Sequence, residues 1–259
     1  NYNDNTFSGW GKTGTSGMGG FATQQVFSTG ATTGPIKVST ADVDGDGKLD
    51  VIISMQDLAS ISVYRNTTTT AGTFTFAPAV TISGLAYGPQ NNAVADIDGD
   101  GRPDLVVTSP SDGNVHIFRN IGSVGSISFA SEFTLAGISG NVIRGVALAD
   151  FDGDGKTDIA VTNYITSGFA SVFRNTSTPG NLSFAPRTDV SVGTNNFKIA
   201  ASDIDGDGKI DLAVSNISSG TISCVRNTSS GIGVISFGSV VNATAGAGPS
   251  DIDFGDFNG

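Results

Sequence analysis

Short apolar runs recur along this chain at a nearly constant spacing. Val51–Ser54, Leu105–Thr108, Ile159–Thr162 and Leu212–Ser215 are mostly β-branched and too short for buried helices, so each predicts a strand. A polar or Gly-bearing turn follows each run. A second run comes next, such as Ile61–Arg65. A Thr/Ser/Gly loop (67–72 in the first unit) then leads to a Phe-centred segment, Thr75–Ala79, predicted as an outer strand. A run ahead of the next unit, Asn92–Ala95, Val146–Ala149 or Ile199–Ser202, supplies an inner strand. No segment carries a convincing helical period.

Three markers keep this beat. An Asp-rich segment begins at Asp42, Asp96, Asp150 and Asp203, in steps of 54, 54 and 53, and a further 53 reaches Asp256. Arg-Asn recurs at Arg65-Asn66, Arg119-Asn120, Arg174-Asn175 and Arg226-Asn227. Phe21, Phe76, Phe129, Phe184 and Phe237 each precede an acidic segment and are followed by Ala or Gly. Four short strands in a repeat of this length predict an all-β fold, a β-propeller of four-stranded antiparallel blades. Such a unit buries its two faces only against neighbours. A row of independent β modules is the alternative, but a unit this small without disulfides is marginal alone.

The acidic segments read Asp-x-Asp-Gly-Asp-Gly-x-x-Asp. Carboxylates at positions 1, 3 and 5 can converge if the backbone coils tightly, which Gly at 4 and 6 permits. A backbone carbonyl at 7 and a carboxylate at 9 complete an all-oxygen shell, which suits Ca²⁺; Mg²⁺ ranks second. The expected ligands are Asp42, Asp44, Asp46, Lys48 and Asp50 in the first loop, and Asp96, Asp98, Asp100, Arg102 and Asp104 in the second. The third loop offers Asp150, Asp152, Asp154, Lys156 and Asp158, and the fourth Asp203, Asp205, Asp207, Lys209 and Asp211. Lys and Arg enter through their carbonyls. No His or Cys lies in these loops, which argues against zinc or copper. Solvated turns would explain the glycines, but not four carboxylates at fixed offsets in four copies. An EF-hand needs Glu at position 12 and flanking helices. Position 12 here is Ile53, Val107, Val161 or Val214, each within a strand-like run.

Charge fits this reading. The chain of 259 residues has 13 Lys and Arg against 24 Asp and Glu, a net charge of −11. Four acids in each of four loops account for sixteen of those 24, and four Ca²⁺ would bring −11 to about −3. The sign excludes a nucleic-acid partner. No run is long and apolar enough for a transmembrane helix. One Cys excludes a disulfide scaffold. The repeating Arg65, Arg119, Arg174 and Arg226 are expected near the loop end of each blade, either pairing with loop carboxylates or as solvated edge charges. His116 aligns with Ser62, Ser171 and Ser223, so it reads as a single substitution and not as part of a catalytic triad. Cys224 aligns with Val63, Ile117 and Val172 and reads as a core thiol. Glu132 stands alone, and Asp57 and Asp112 read as turn residues.

These motifs resemble the FG-GAP/VCBS-type repeat of integrin α-subunit propellers and of many bacterial secreted proteins. Phe237-Gly238 and Gly246-Ala247-Gly248-Pro249 carry the two signature segments. The resemblance implies calcium in the loop between the first two strands of a blade. It also implies a seven-bladed ring, of which about five blades are represented here. Residues 1–20 are then a linker or the remnant of a preceding blade, and 21–259 a propeller segment with a truncated fifth unit. Low-affinity calcium loops predict an exported protein, secreted or at the cell surface, and the start without an initiator Met or signal peptide agrees with a processed or truncated one; the resemblance suggests a larger protein of bacterial type. The expected role is non-catalytic: binding or adhesion to a protein or glycan, with neighbouring domains as further partners. A lectin-like propeller and the propeller scaffold of a secreted enzyme are the alternatives. The ligand face is expected opposite the calcium loops, on segments that vary between units: Met55–Ser60, Leu85–Asn91, Pro110–Asn114, Tyr164–Gly168, Gly193–Asn196 and Ile217–Gly220. Tyr87 and Tyr164 are its candidate aromatic contacts. Sequons occur at Asn66, Asn175, Asn181, Asn216, Asn227 and Asn242, where turn chemistry explains them first.

Overall fold

The computed structural model describes Val26 and residues 34–136, 142–164 and 168–255. Phe21, Trp10, Asp256, the 1–20 segment and residues 165–167 of one expected ligand loop lie outside them. Every regular element among the described residues is a strand. Sheet one comprises β1 (Pro35–Ala41), β2 (Asp50–Met55), β3 (Ser60–Tyr64) and β4 (Val80–Ile82). Sheet two comprises β5 (Asn91–Ala95), β6 (Asp104–Thr108), β7 (Val115–Phe118) and β8 (Phe133–Leu135). Sheet three holds β9 (Ile143–Ala149), β10 (Asp158–Asn163), β11 (Phe169–Phe173) and β12 (Thr188–Ser191). Sheet four holds β13 (Asn196–Ser202), β14 (Asp211–Asn216), β15 (Thr221–Asn227) and β16 (Phe237–Thr244). Each sheet is antiparallel and runs in chain order. The four first strands adjoin one another in sequence, β1 by β5, β5 by β9 and β9 by β13. They form the inner edge of a propeller arc.

The middle strands show why one unit cannot stand alone. Every residue of β6 and β10 is buried, because both faces of these strands are covered. The apolar core is divided into three clusters, one in each gap between consecutive sheets. Leu105 and Val107 pack with Ile52, Ile61 and Val63 of sheet one. Val106, Val115 and Ile117, on the opposite face of sheet two, pack with Ile159 and Val161. Val172 and Ala170 pack with Leu212 and Val214. The outward faces of the end sheets contrast with this: Val38 is 55% exposed and Val241 68%. Cys224, on the last sheet, is only half-buried, whereas its counterparts Val63, Ile117 and Val172 are fully buried. The core thiol expected from alignment lacks a covering sheet among the described residues.

Hydroxyls at the ends of the second strands stitch the blades together. Thr108 Oγ1 donates to the Arg144 carbonyl at 2.8 Å and Thr162 Oγ1 to that of Phe197 at 3.2 Å. Gly145 lies where β9 meets β13, and a Cβ there would come 2.9 Å from the Phe197 carbonyl oxygen. This close approach of two backbones requires glycine.

One strand assignment is corrected. The Phe-centred segments are not outer strands in sheets one to three. Phe76, Phe129 and Phe184 form isolated bridges to Asn66, Asn120 and Asn175, and the outer strands begin four residues later, at Val80, Phe133 and Thr188. The hairpins of Phe129 and Phe184 bend away to pack on the core of the preceding blade, so their ladders are interrupted. Of the repeating phenylalanines among the described residues, only Phe237 opens an outer strand.

Candidate metal centres

Each acidic loop joins an inner strand to the second strand of its blade, at one end of the sheets. Its first aspartate organises the coil. Asp96 accepts the N–H groups of Gly99, Asp100 and Gly101 at 2.8–3.1 Å, and Asp150 and Asp203 do the same in their loops. In the second loop Gly99 and Gly101 have φ of 76° and 87°. A Cβ there would meet nothing within 4 Å, so backbone conformation and not space demands glycine. The third aspartate accepts the N–H of the fifth residue, at 3.0 Å for Asp98.

The ninth aspartate ties the blade together. Asp104 Oδ2 accepts the Ile97 N–H at 3.0 Å and Oδ1 the Asn120 N–H at 2.7 Å. Asp50, Asp158 and Asp211 repeat both bonds, to Val43 and Asn66, to Phe151 and Asn175, and to Ile204 and Asn227. One carboxylate thus joins the loop to the end of the third strand. In each loop, oxygens of positions 1, 3 and 9 lie within 4.8 Å of one another: Asp42, Asp44 and Asp50; Asp96, Asp98 and Asp104; Asp150, Asp152 and Asp158; Asp203, Asp205 and Asp211. The fifth-position acids stand outside these trios. Asp46 takes the Lys48 ammonium at 2.7 Å, Asp100 pairs with Arg102, and Asp207 with Arg226 at 2.8 Å. Asp154 accepts the Lys156 N–H. Lys156 and Lys209 direct their ammonium groups to the Ser177 and Ser229 carbonyls.

Three carboxylates so close, partly buried, are electrostatically costly without a cation. Burial pushes the Asp104 and Asp158 carboxyls up to about 6, against the pull of their backbone N–H donors. Burial raises Asp50 as well. Asp44 Oδ2 is buried with no hydrogen-bond partner. The repeating arginines supply part of the counter-charge: Arg65, Arg119 and Arg174 stand 3.7, 3.5 and 3.9 Å from Asp44, Asp98 and Asp152. Of the two roles open to them, they take the pairing one. A hard divalent ion with oxygen ligands fits this donor set, since it would neutralise the trio without displacing the backbone donors.

The following blade reaches the second and third sites directly. The Gly180 N–H, from the hairpin of sheet three, donates to Asp98 Oδ2 at 2.9 Å, and the Gly233 N–H of sheet four to Asp152 Oδ2 at 2.7 Å. The asparagine after each arginine adds a second tie. Asn120 Nδ2 donates at 2.7 Å to the Val43 carbonyl of the preceding loop, Asn175 Nδ2 at 2.7 Å to that of Ile97, and Asn227 Nδ2 at 2.8 Å to that of Phe151. Their Oδ1 atoms accept N–H groups two residues on. From sequence, Asn175 and Asn227 are explained first by turn chemistry, and Asn120 is only part of the recurring Arg-Asn pair. The signal that could have found their second role is their strict position after the arginine.

Models of known families place the whole arrangement. The FG-GAP-like repeat model matches residues 42–107, 96–161, 150–214 and 203–259; each of the first three matches spans two successive acidic loops, and the last begins at the fourth loop. The chain belongs to the FG-GAP-like repeat family. Among solved structures its fold is similar to BBS1N in complex with ARL6DN, soaked with lead: TM-score 0.51, 18% identity, 82% of this chain and 57% of that one. It is also similar to PpgL, the periplasmic gluconolactonase of Pseudomonas aeruginosa: TM-score 0.55, 20% identity, 82% of this chain and 55% of that one. The chain therefore spans less than two thirds of either protein. Likeness at this identity establishes a shared propeller fold. No curated protein matches the chain.

Other residues of this FG-GAP-like chain are placed differently from expectation. His116 is buried between two carboxylates, with Nδ1 2.6 Å from Glu132 and Nε2 3.0 Å from Asp112. Glu132 does not stand alone and Asp112 is more than a turn residue. Tyr87 stacks on the His116 ring at 3.7 Å and is 4% exposed. It is a core residue and not a ligand contact, because the blade that carries His116 covers it. Burial raises its phenol, with Glu132 and Asp112 adding to the shift. Tyr164 lies beneath the Arg144 guanidinium.

Proposed function

We propose that this chain is a calcium-stabilised, non-catalytic propeller segment of a larger secreted or cell-surface protein. In this reading it presents a ligand-binding face opposite its acidic loops. The observation that carries the metal is the fourfold recurrence of a convergent carboxylate trio, with buried members whose ionisation is opposed by their surroundings. Positions 1, 3 and 9 would hold the ion, with position 5 and the position-7 carbonyl as the further ligands. Ca²⁺ is favoured over Mg²⁺ because the donors are numerous, anionic and carried on a flexible Gly-bearing coil. Calcium sites of extracellular modules often work at roughly 10⁻⁴ to 10⁻³ M, which places the protein where calcium is abundant. No helix among the described residues is long and apolar enough to cross a membrane.

The ion's role is mechanical. The aspartate at position 9 is bonded to the end of the third strand, and at Asp98 and Asp152 the aspartate at position 3 is bonded to the next blade, so an ion among them would clamp two blades at once. A non-catalytic role is supported by His116, whose ring nitrogens are both occupied and whose face is covered by Tyr87. The test is a thermal melt in EDTA against a melt in millimolar Ca²⁺. Removal is expected to lower Tm by about 10 °C or more, with recovery on adding Ca²⁺ and not on adding equal Mg²⁺. Superimposable melts would refute the clamp.

A further inference from the structure

Almost every basic side chain among the described residues is engaged. Lys48, Arg65, Arg102, Arg119, Arg174, Arg187 and Arg226 reach carboxylates, and Lys156 and Lys209 reach loop carbonyls. The remaining three are Lys37, Arg144 and Lys198. All lie near the starts of inner strands, and therefore at the end of the arc opposite the acidic loops. A cavity of about 240 Å³ opens there, lined by Ile36, Gln90, Asn91, Arg144, Phe197 and Lys198. Lys37 lines the adjoining cleft with Lys198 and Asn91. Asp251 borders both, and forms no ion pair with any of the three cations.

Arg144 is built into place. Its guanidinium carbon lies 4.6 Å from the Tyr164 ring centroid and 5.2 Å from that of Phe197, and the two rings meet edge to face at 6.3 Å. Its backbone carbonyl accepts the Thr108 hydroxyl of the preceding blade. The charged fork is thus fixed before any ligand arrives, which lowers the cost of binding. Two buried atoms here lack partners: Arg144 Nε has no acceptor, and Gln90 Oε1 has no donor. Burial, with Lys37 nearby, holds the Lys198 ammonium below its ordinary range against the opposing pull of Asp251, a penalty that a bound anion would relieve further. The cavity therefore asks for an acceptor with negative charge and, beside it, a hydrogen-bond donor.

We propose that this cavity binds a small hydroxy acid, such as a single uronic-acid unit. Its carboxylate would engage Arg144 and Lys198, and a neighbouring hydroxyl would donate to Gln90 Oε1. The proposal rests on the binding role proposed above and names its ligand class, but it needs no metal step. The volume suits one sugar-sized group, being below the range typical of drug-sized ligands.

The test is ¹⁵N NMR on the calcium-loaded chain titrated with glucuronate, with glucose and propionate as probes lacking the carboxylate or the hydroxyl. Glucuronate is expected to shift the amides of Asn91, Phe197 and Lys198 in a saturable way. Glucose is expected to leave them unmoved, and propionate to bind at least several-fold more weakly. R144M is expected to weaken glucuronate about tenfold or more, and Q90E to weaken it by repulsion without removing Arg144. The wild-type comparison stands even if a variant does not fold. Unmoved amides in glucuronate, or equal shifts with glucose, would overturn the proposal. If that happens while EDTA still lowers Tm, the calcium-stabilised reading survives and the hydroxy-acid site alone is wrong.

Discussion

The loops at Asp150 and Asp203 share one sequence pattern and differ in their surroundings. In the first, Phe151 is 2% exposed, packed in the core between sheets three and four, while its counterpart Ile204 is 43% exposed. Asp152 receives the Gly233 N–H of the next blade, and Arg174 stands off at 3.9 Å. Asp205 has no such donor among the described residues, and Arg226 closes on it to 2.5 Å. The same residues thus make a finished site where a following blade covers them and a self-paired one where none of the described residues does. The carboxylates come from within a blade, but their environment is a property of the gap between blades. That is the logic of a repeat protein, in which each unit's stability resides in its interfaces.

Variants that remove the tie between blades are expected to separate the two situations most widely. Asn120→Ala deprives two carbonyls, Val43 and Pro103, of a donor and loses an acceptor for Gly122. It is expected to cost about 2–3 kcal/mol, several degrees of Tm in a chain of this size. Asn66→Ala loses only the bonds to Leu49 and Thr68, within its own blade, and is expected to cost about 1 kcal/mol. Equal losses in calorimetry would show that the tie between blades contributes nothing extra.

A smaller contrast is expected between Asp98→Asn and Asp205→Asn in calcium. Asp98 is buried and joined to sheet three through Gly180, and its loss is expected to lower Tm by about 4 °C. Asp205 is exposed, and its substitution is expected to shift Tm by less than half as much. A larger effect at Asp205 would mean that covering by the next blade does not strengthen a site.

The smallest effect is on pH dependence, and it should change sign with metal. Asp104 and Asp158 have carboxyls raised to about 6 in the metal-free fold, above the ordinary value near 3.9. The folded state therefore binds more protons than the unfolded chain between those values, so their contribution to stability falls as pH rises through that window. In EDTA, Tm is expected to rise as pH is lowered from 7 towards 5. In calcium it is expected to fall, because protons then compete with the ion. Parallel trends in the two conditions would argue against metal at these carboxylates.

How much of this was legible in the sequence follows from distance along the chain. The acidic loops, the second and third strands and the period were readable because their residues interact within a few positions or repeat outright. The inner strands start a little earlier than the apolar runs suggested, at Asn91, Ile143 and Asn196, and at Asn91 and Asn196 a polar residue begins the pairing. The outer strands were misplaced because Phe76, Phe129 and Phe184 look like strand centres but make only isolated bridges, and the hairpins of Phe129 and Phe184 lean on the preceding blade. The partners of Asn120, Asn175 and Asn227 lie 76 to 78 residues away, and no local pattern announces them. His116, Asp112, Glu132 and Tyr87 meet in one blade gap only, so the comparison of units that revealed the repeat concealed them.

Calorimetric titration of the EDTA-stripped chain with Ca²⁺ addresses the central claim most directly. The account predicts four ions per chain, three bound more tightly by the covered loops and one more weakly at Asp203–Asp211. It also predicts that Asn120→Ala weakens the loop at Asp42 that it helps to cover. Absence of binding, or four equal sites indifferent to that substitution, would contradict it.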